Sequence, residues 1–112
     1  MLIREKDKQM IIDLAKKTLN QPLEVWAYGS RVTGKAHETS DLDMVLVTNE
    51  EQELKLTDLL QFKKALENSN IPILTQVLDW NRIPKSFHQN ILNNYEVMVR
   101  IDGELKGLVN EG

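Results

Sequence analysis

At 112 residues, with 41% hydrophobic and 28% charged residues, the chain has room for a single domain spanning 1–112 and is too apolar to be disordered. No apolar run approaches the ~20 residues of a membrane span, no basic segment leads into an apolar signal core, and cysteine is absent. Disulfides and thiolate metal sites are thereby excluded, and a cytoplasmic protein is expected. The net charge of −3 argues against a nucleic-acid partner, which needs a clustered basic surface.

Arg4 to Leu19 spaces Ile11, Leu14, Ala15 and Leu19 at helical intervals, with lysines and aspartates between them, so an amphipathic helix laid on a sheet is expected. Asn20-Gln21-Pro22 ends it, because proline cannot continue a helix and restricts the residue before it. Val25 to Tyr28 reads as the first strand, with Trp26 in the core. Behind Gly29-Ser30, Arg31 to Lys35 makes a short helix or turn. Ser40-Asp41-Leu42-Asp43 opens a second strand, Met44 to Val47, apolar on both faces and therefore internal to its sheet.

Thr48 to Glu53 is an acidic loop, and Leu54 to Asn68 carries Leu56, Leu59, Leu60, Phe62 and Leu66 as the apolar stripe of a second long helix. A third strand runs from Ile73 to Asp79. Trp80 follows, for which core and interface readings both stay open. Arg82-Ile83-Pro84 leads into a helix over Lys85 to Asn93, with Phe87 and Ile91, and Leu92 beside them, facing inward. Tyr95 to Ile101 alternates, which places Val97, Val99 and Ile101 on one side of an edge strand. The tail, 103–112, is polar and glycine-containing, and partial disorder is expected there. The succession of periodicities predicts an α+β fold: a mixed sheet of about four strands with helices packed mainly on one face.

Asp41 and Asp43 stand at i and i+2, so on an extended chain their side chains share a face a few ångströms apart and repel. Strand-entry capping explains one such carboxylate but not two. A hard divalent cation, or a pair of them, offsets the repulsion, and Mg2+ takes carboxylate oxygens together with phosphate oxygens. Gly29 lets backbone amides approach an anion closely, and the start of the following helix adds partial positive charge. The stretch can thus hold a triphosphate at one end and its metals at the other. Arg31 reads as a phosphate clamp or a solvated loop residue, and Lys35 as a secondary phosphate contact. His37, without a second ligand nearby, reads as an exposed loop residue.

Gly29-Ser30, ten intervening residues, then Asp41-Leu42-Asp43 resembles the signature of the DNA polymerase β-like nucleotidyltransferase superfamily, and the short chain resembles its minimal, antitoxin-like members. The resemblance extends over nearly the whole chain, from the leading helix to the strand ending Leu78-Asp79-Trp80. It implies a nucleotidyltransferase fold in which Asp41 and Asp43 are catalytic and ligate Mg2+. It also implies that Gly29, Ser30, Arg31 and Ser40 bind ATP or another NTP, with a nucleoside monophosphate passing to a hydroxyl acceptor. Minimal members lack the domain that presents the acceptor, so a partner is implied as well: a small helical HEPN-type protein in a hetero-oligomer. Some such pairs are toxin and antitoxin, with AMP added to the toxin.

In the family, a third carboxylate on the adjacent strand faces the aspartate pair, ligates metal and accepts the proton of the attacking hydroxyl. Aligning Leu78-Asp79-Trp80 with that strand puts Gln76 at this catalytic position, and glutamine cannot serve as a carboxylate base. Asp79 lies three residues on, an odd offset that points to the other face unless a bulge intervenes. Glu38 reaches the site only if its loop folds back. Two functions of different class follow: an active transferase, or a nucleotide-binding module that acts by complex formation. Gln76 favours the second more than the motif alone would.

Overall fold

Helical and strand-like periodicities fold where the sequence places them. The computed structural model describes residues 1, 3–35, 41–49 and 51–102, so Ser40, His37, Glu38 and the 103–112 tail lie outside the described residues. The elements are α1 (Glu5–Thr18), β1 (Leu23–Tyr28), a single-turn α2 (Ser30–Thr33), β2 (Leu42–Val47), α3 (Leu56–Glu67), β3 (Thr75–Asp79), a 3₁₀ turn (Trp80–Arg82), α4 (Lys85–Asn93) and β4 (Tyr95–Ile101).

The strands form one mixed sheet in the order β3-β2-β1-β4. β1 runs antiparallel to both β2 and β4, while β2 and β3 are parallel, as a connection through α3 requires. Ile11, Ala15 and Leu19 from the α1 segment and Leu59, Phe62 and Leu66 of α3 bury against Leu23, Val25, Ala27, Leu42, Met44 and Leu46. On the other face Ile91 of α4 packs with Tyr28 and Val45. Two long helices therefore share one face, and α4 covers part of the second. The internal strand β2 is apolar on both sides, with Met44, Val45 and Leu46 fully buried.

The chain that ends α1 also starts α3. The Asn20 amide donates to the buried Asp58 carboxylate at 3.0 Å. The Gln21 side chain donates to the Glu53 carbonyl at 3.0 Å and accepts from the Lys55 amide at 2.7 Å. Both buried polar side chains are satisfied, which removes the penalty of placing them there.

Several packing expectations change, among them Leu56 and Leu60 of the α3 stripe, which are 53% and 55% exposed. Along β4 the partner of Val25 is Val99, but that of Trp26 is Val97. Met98 is thus an extra residue, a β-bulge. The bulge turns Val97 to the opposite face from Val99 and Ile101, where it is 46% exposed, while Met98, Val99 and Ile101 pack toward α1 and α3. Trp26, expected in the core, is only partly buried. It stacks on Tyr95 at 4.2 Å and meets the edge of Trp80 at 5.3 Å, and its indole N–H donates to Glu24 at 2.8 Å. It sits outside the main core because even positions of β1 face the side that α4 covers incompletely. Trp80 lies flat on the His88 ring at 3.7 Å. His88 Nε2–H donates to the Trp80 carbonyl at 2.6 Å, since a carbonyl only accepts. Leu92, expected to face inward, is 44% exposed.

Candidate active site

The strand registers set residues in rows across the sheet. Asp43 pairs with Tyr28 on one side and Gln76 on the other, and Tyr28 pairs in turn with Tyr95. Paired residues of neighbouring strands share a face. One face therefore carries the row Gln76, Asp43, Tyr28, Tyr95, and beneath it the row Leu78, Val45, Trp26, Val97. Polar chemistry stands at the end of the sheet where β1 stops and β2 begins.

β1 stops there because Gly29 turns the chain with φ +84° and ψ −156°, a region that L side chains rarely adopt. A Cβ on Gly29 would lie 2.6 Å from Asp43 Oδ2. The carboxylate thus occupies the place of the missing side chain, which brings the Gly-Ser turn against Asp43. α2 follows at once: the Val32 and Thr33 amides both donate to the Gly29 carbonyl at 3.1 Å, and Gly34, also at φ +84°, closes the turn.

Asp41 immediately precedes β2, where the Leu42 amide donates to the Leu74 carbonyl at 2.9 Å and prolongs the β2–β3 ladder. The carboxyl of Asp43 is pushed above its ordinary value, first by burial and then by the negative charge of Asp41. The Tyr28 hydroxyl is pushed up to about 12 by burial and by Asp43, so the phenol is neutral at ordinary pH. Two oxygen-donor carboxylates whose joint ionisation is disfavoured make a donor set that suits a hard divalent cation such as Mg2+. No group of three or more His, Cys, Asp or Glu side chains gathers for a metal among the described residues. At the β3 end of the row, beside Asp43, stands Gln76, exposed to solvent.

Asp79 stands elsewhere. It pairs with Leu46 on the face covered by α1 and α3, with no bulge in β3 to turn it. Its Oδ1 accepts the Asn81 amide at 3.0 Å, and Oδ2 pairs with Arg82 at 3.4 Å. That carboxylate caps the 3₁₀ turn. Arg31 is buried and lines an open groove of about 670 Å³ with Met1, Ile3, Arg4, Asp7 and Pro72, a groove that includes neither site aspartate. Sequence reasoning missed Tyr28 and Tyr95 as row members. The signal was available for Tyr28, which abuts Gly29 and must face Asp43 in an antiparallel pairing.

The family described as "Polymerase beta, Nucleotidyltransferase" matches residues 9–104. The chain is 37% identical over 86 residues to the probable protein adenylyltransferase MntA of Haemophilus influenzae, covering 73% of this chain and 74% of that protein. Among solved structures, it is similar to a toxin-antitoxin crystallised with AMP-PNP, with a TM-score of 0.67 and 16% identity over 82% of this chain and 72% of that one. It is similar also to the tri-AMPylated Shewanella oneidensis HEPN toxin in complex with MNT antitoxin, with a TM-score of 0.63 and 11% identity over 96% of this chain and 79% of that one.

Proposed function

This chain belongs to the polymerase β nucleotidyltransferase family, and on that premise we propose that it binds Mg2+-ATP and moves AMP to a hydroxyl on a helical HEPN-type partner protein. The observation that carries the reading is the interlock of Gly29 with the Asp43 carboxylate, which joins an anion-approach turn and a cation site. Asp41 and Asp43 hold the metal, and Gly29 and Ser30 meet the phosphates. Bound there, Mg2+ neutralises charge on the phosphate oxygens and relieves the carboxylate repulsion. The acceptor oxygen bonds to the α-phosphorus as the bond from that phosphorus to pyrophosphate breaks. Among the described residues neither the Gln76 amide nor the neutral Tyr28 phenol stands as a third-carboxylate base, and the acceptor proton leaves to solvent water.

The partner assignment is supported by what the relatives are: a protein adenylyltransferase, and toxin–antitoxin assemblies that include an AMPylated HEPN toxin. A specific observation favours a second reading, in which transfer is slow and complex formation does the work: the register that puts Gln76 rather than a carboxylate beside Asp43. General-base assistance is worth ~10²–10⁴-fold, and among the described residues no third carboxylate faces the aspartates to give it. Calorimetry of ATP binding with and without Mg2+ tests the proposal. Asp43→Asn removes the Mg2+-dependent part of the affinity; equal affinities for wild type and variant under both conditions would overturn the reading.

A further inference from the structure

The row across the sheet limits how much positive charge the site can hold. Asp43 is the only carboxylate in it, flanked by the Gln76 amide on β3 and the Tyr28 phenol on β1. One of its oxygens is already lodged against Gly29, where a side chain would otherwise be. Asp41, exposed at the strand entry, is its anionic neighbour; Glu24, the other described carboxylate on this face, stands at the far end of β1. Two dications a few ångströms apart repel four times as strongly as two unit charges. Sites that hold such a pair need carboxylates that bridge and flank both ions. Here one ion can share Asp41, Asp43 and the nucleotide phosphates, in the manner usual for Mg2+. A second would have an amide where it needs a charge.

We propose that Gln76 makes this a one-cation site: the chain takes up a nucleotide with a single divalent ion, and the β3 position opposite Asp43 decides whether a second is admitted. The proposal rests on the nucleotide-binding reading above and concerns its stoichiometry. Such a site would slow transfer relative to binding, since the donor set offers two carboxylates to an ion that accompanies the phosphates and an amide where a second ion would need a third.

The test is Mn2+ binding to the full chain in the presence of AMP-PNP, counted by electron paramagnetic resonance, where two ions at bridging distance also broaden each other's signal. Wild type should bind one Mn2+ per nucleotide with an uncoupled spectrum. Gln76→Asp should bind two with a coupled spectrum, and Gln76→Glu provides a second carboxylate variant should the first fold poorly. Two coupled ions in wild type would overturn the proposal while leaving nucleotide binding intact, and so would one ion in both carboxylate variants. No Mn2+ or AMP-PNP bound by wild type would instead overturn the functional reading itself.

Discussion

Gly29 and Asp43 compete for one volume: a Cβ on the glycine would stand 2.6 Å from Oδ2 of the aspartate. Gly34 supplies a natural control, because it shares the φ of +84° but has open space where its Cβ would go. Gly34→Ala should cost only the backbone strain, ~1 kcal/mol. Gly29→Ala should cost that strain and a steric term besides, ~2–4 kcal/mol in all, and should weaken ATP binding. Chemical denaturation of both variants checks the ranking. Combining Gly29→Ala with Asp43→Ala should recover the steric part alone.

Asp43 should oppose folding when no metal is present. Its carboxyl is held above the ordinary range in the folded protein, so folding favours the protonated form. That favourable contribution is complete below the unfolded value of ~4 and is lost as pH rises through the higher folded value. In EDTA at pH 7, Asp43→Asn should therefore melt higher than wild type, with the difference vanishing in acid. On adding Mg2+ and ATP the order should reverse, since wild type gains more from the ligand than the variant does. Thermal melts across pH, with and without ligand, measure both signs.

Asp79 should matter for stability and not for the nucleotide. It caps the turn through the Asn81 amide and pairs with a largely exposed Arg82, so Asp79→Ala should cost about 1 kcal/mol, most of it from the cap. ATP affinity should stay within twofold of wild type. A large loss of affinity would mean that this carboxylate reaches the site.

The Met98 bulge should set opposite tolerances two residues apart. Val97→Lys should change stability by less than ~0.5 kcal/mol, whereas Val99→Lys should cost ~2 kcal/mol or more, because it drives a charge toward the packed face. Equal costs at both positions would place the two valines on one face.

That pair of valines also marks where sequence reading stopped. Strand and helix positions were legible because apolar spacing reflects the face each element buries, and the aspartate pair was legible because an i, i+2 spacing needs no tertiary information on a strand. The face of Val97 was not, since a bulge is a property of the pairing between β1 and β4 and leaves no mark on either strand alone. Trp26 failed for a related reason: its own strand is apolar, but its exposure depends on how far α4 reaches across the sheet. The position of Gln76 was readable from its distance to Leu78-Asp79-Trp80, and the parallel register sets it opposite Asp43. The groove that holds Arg31 was not, because it is assembled from α1 and the approach to β3, which are remote in sequence.

α4 packs Phe87 edge-on against Tyr28 at 5.8 Å and buries Ile91 beside it, roofing the row on the β1 side of Asp43. On the far side Gln76 is exposed on an edge strand. Among the described residues the row is therefore roofed on one side only, and the acceptor of the proposed transfer would approach over the β3 rim. On the proposed function, the same residue that withholds a charge from the site is the doorstep that an incoming acceptor would cross.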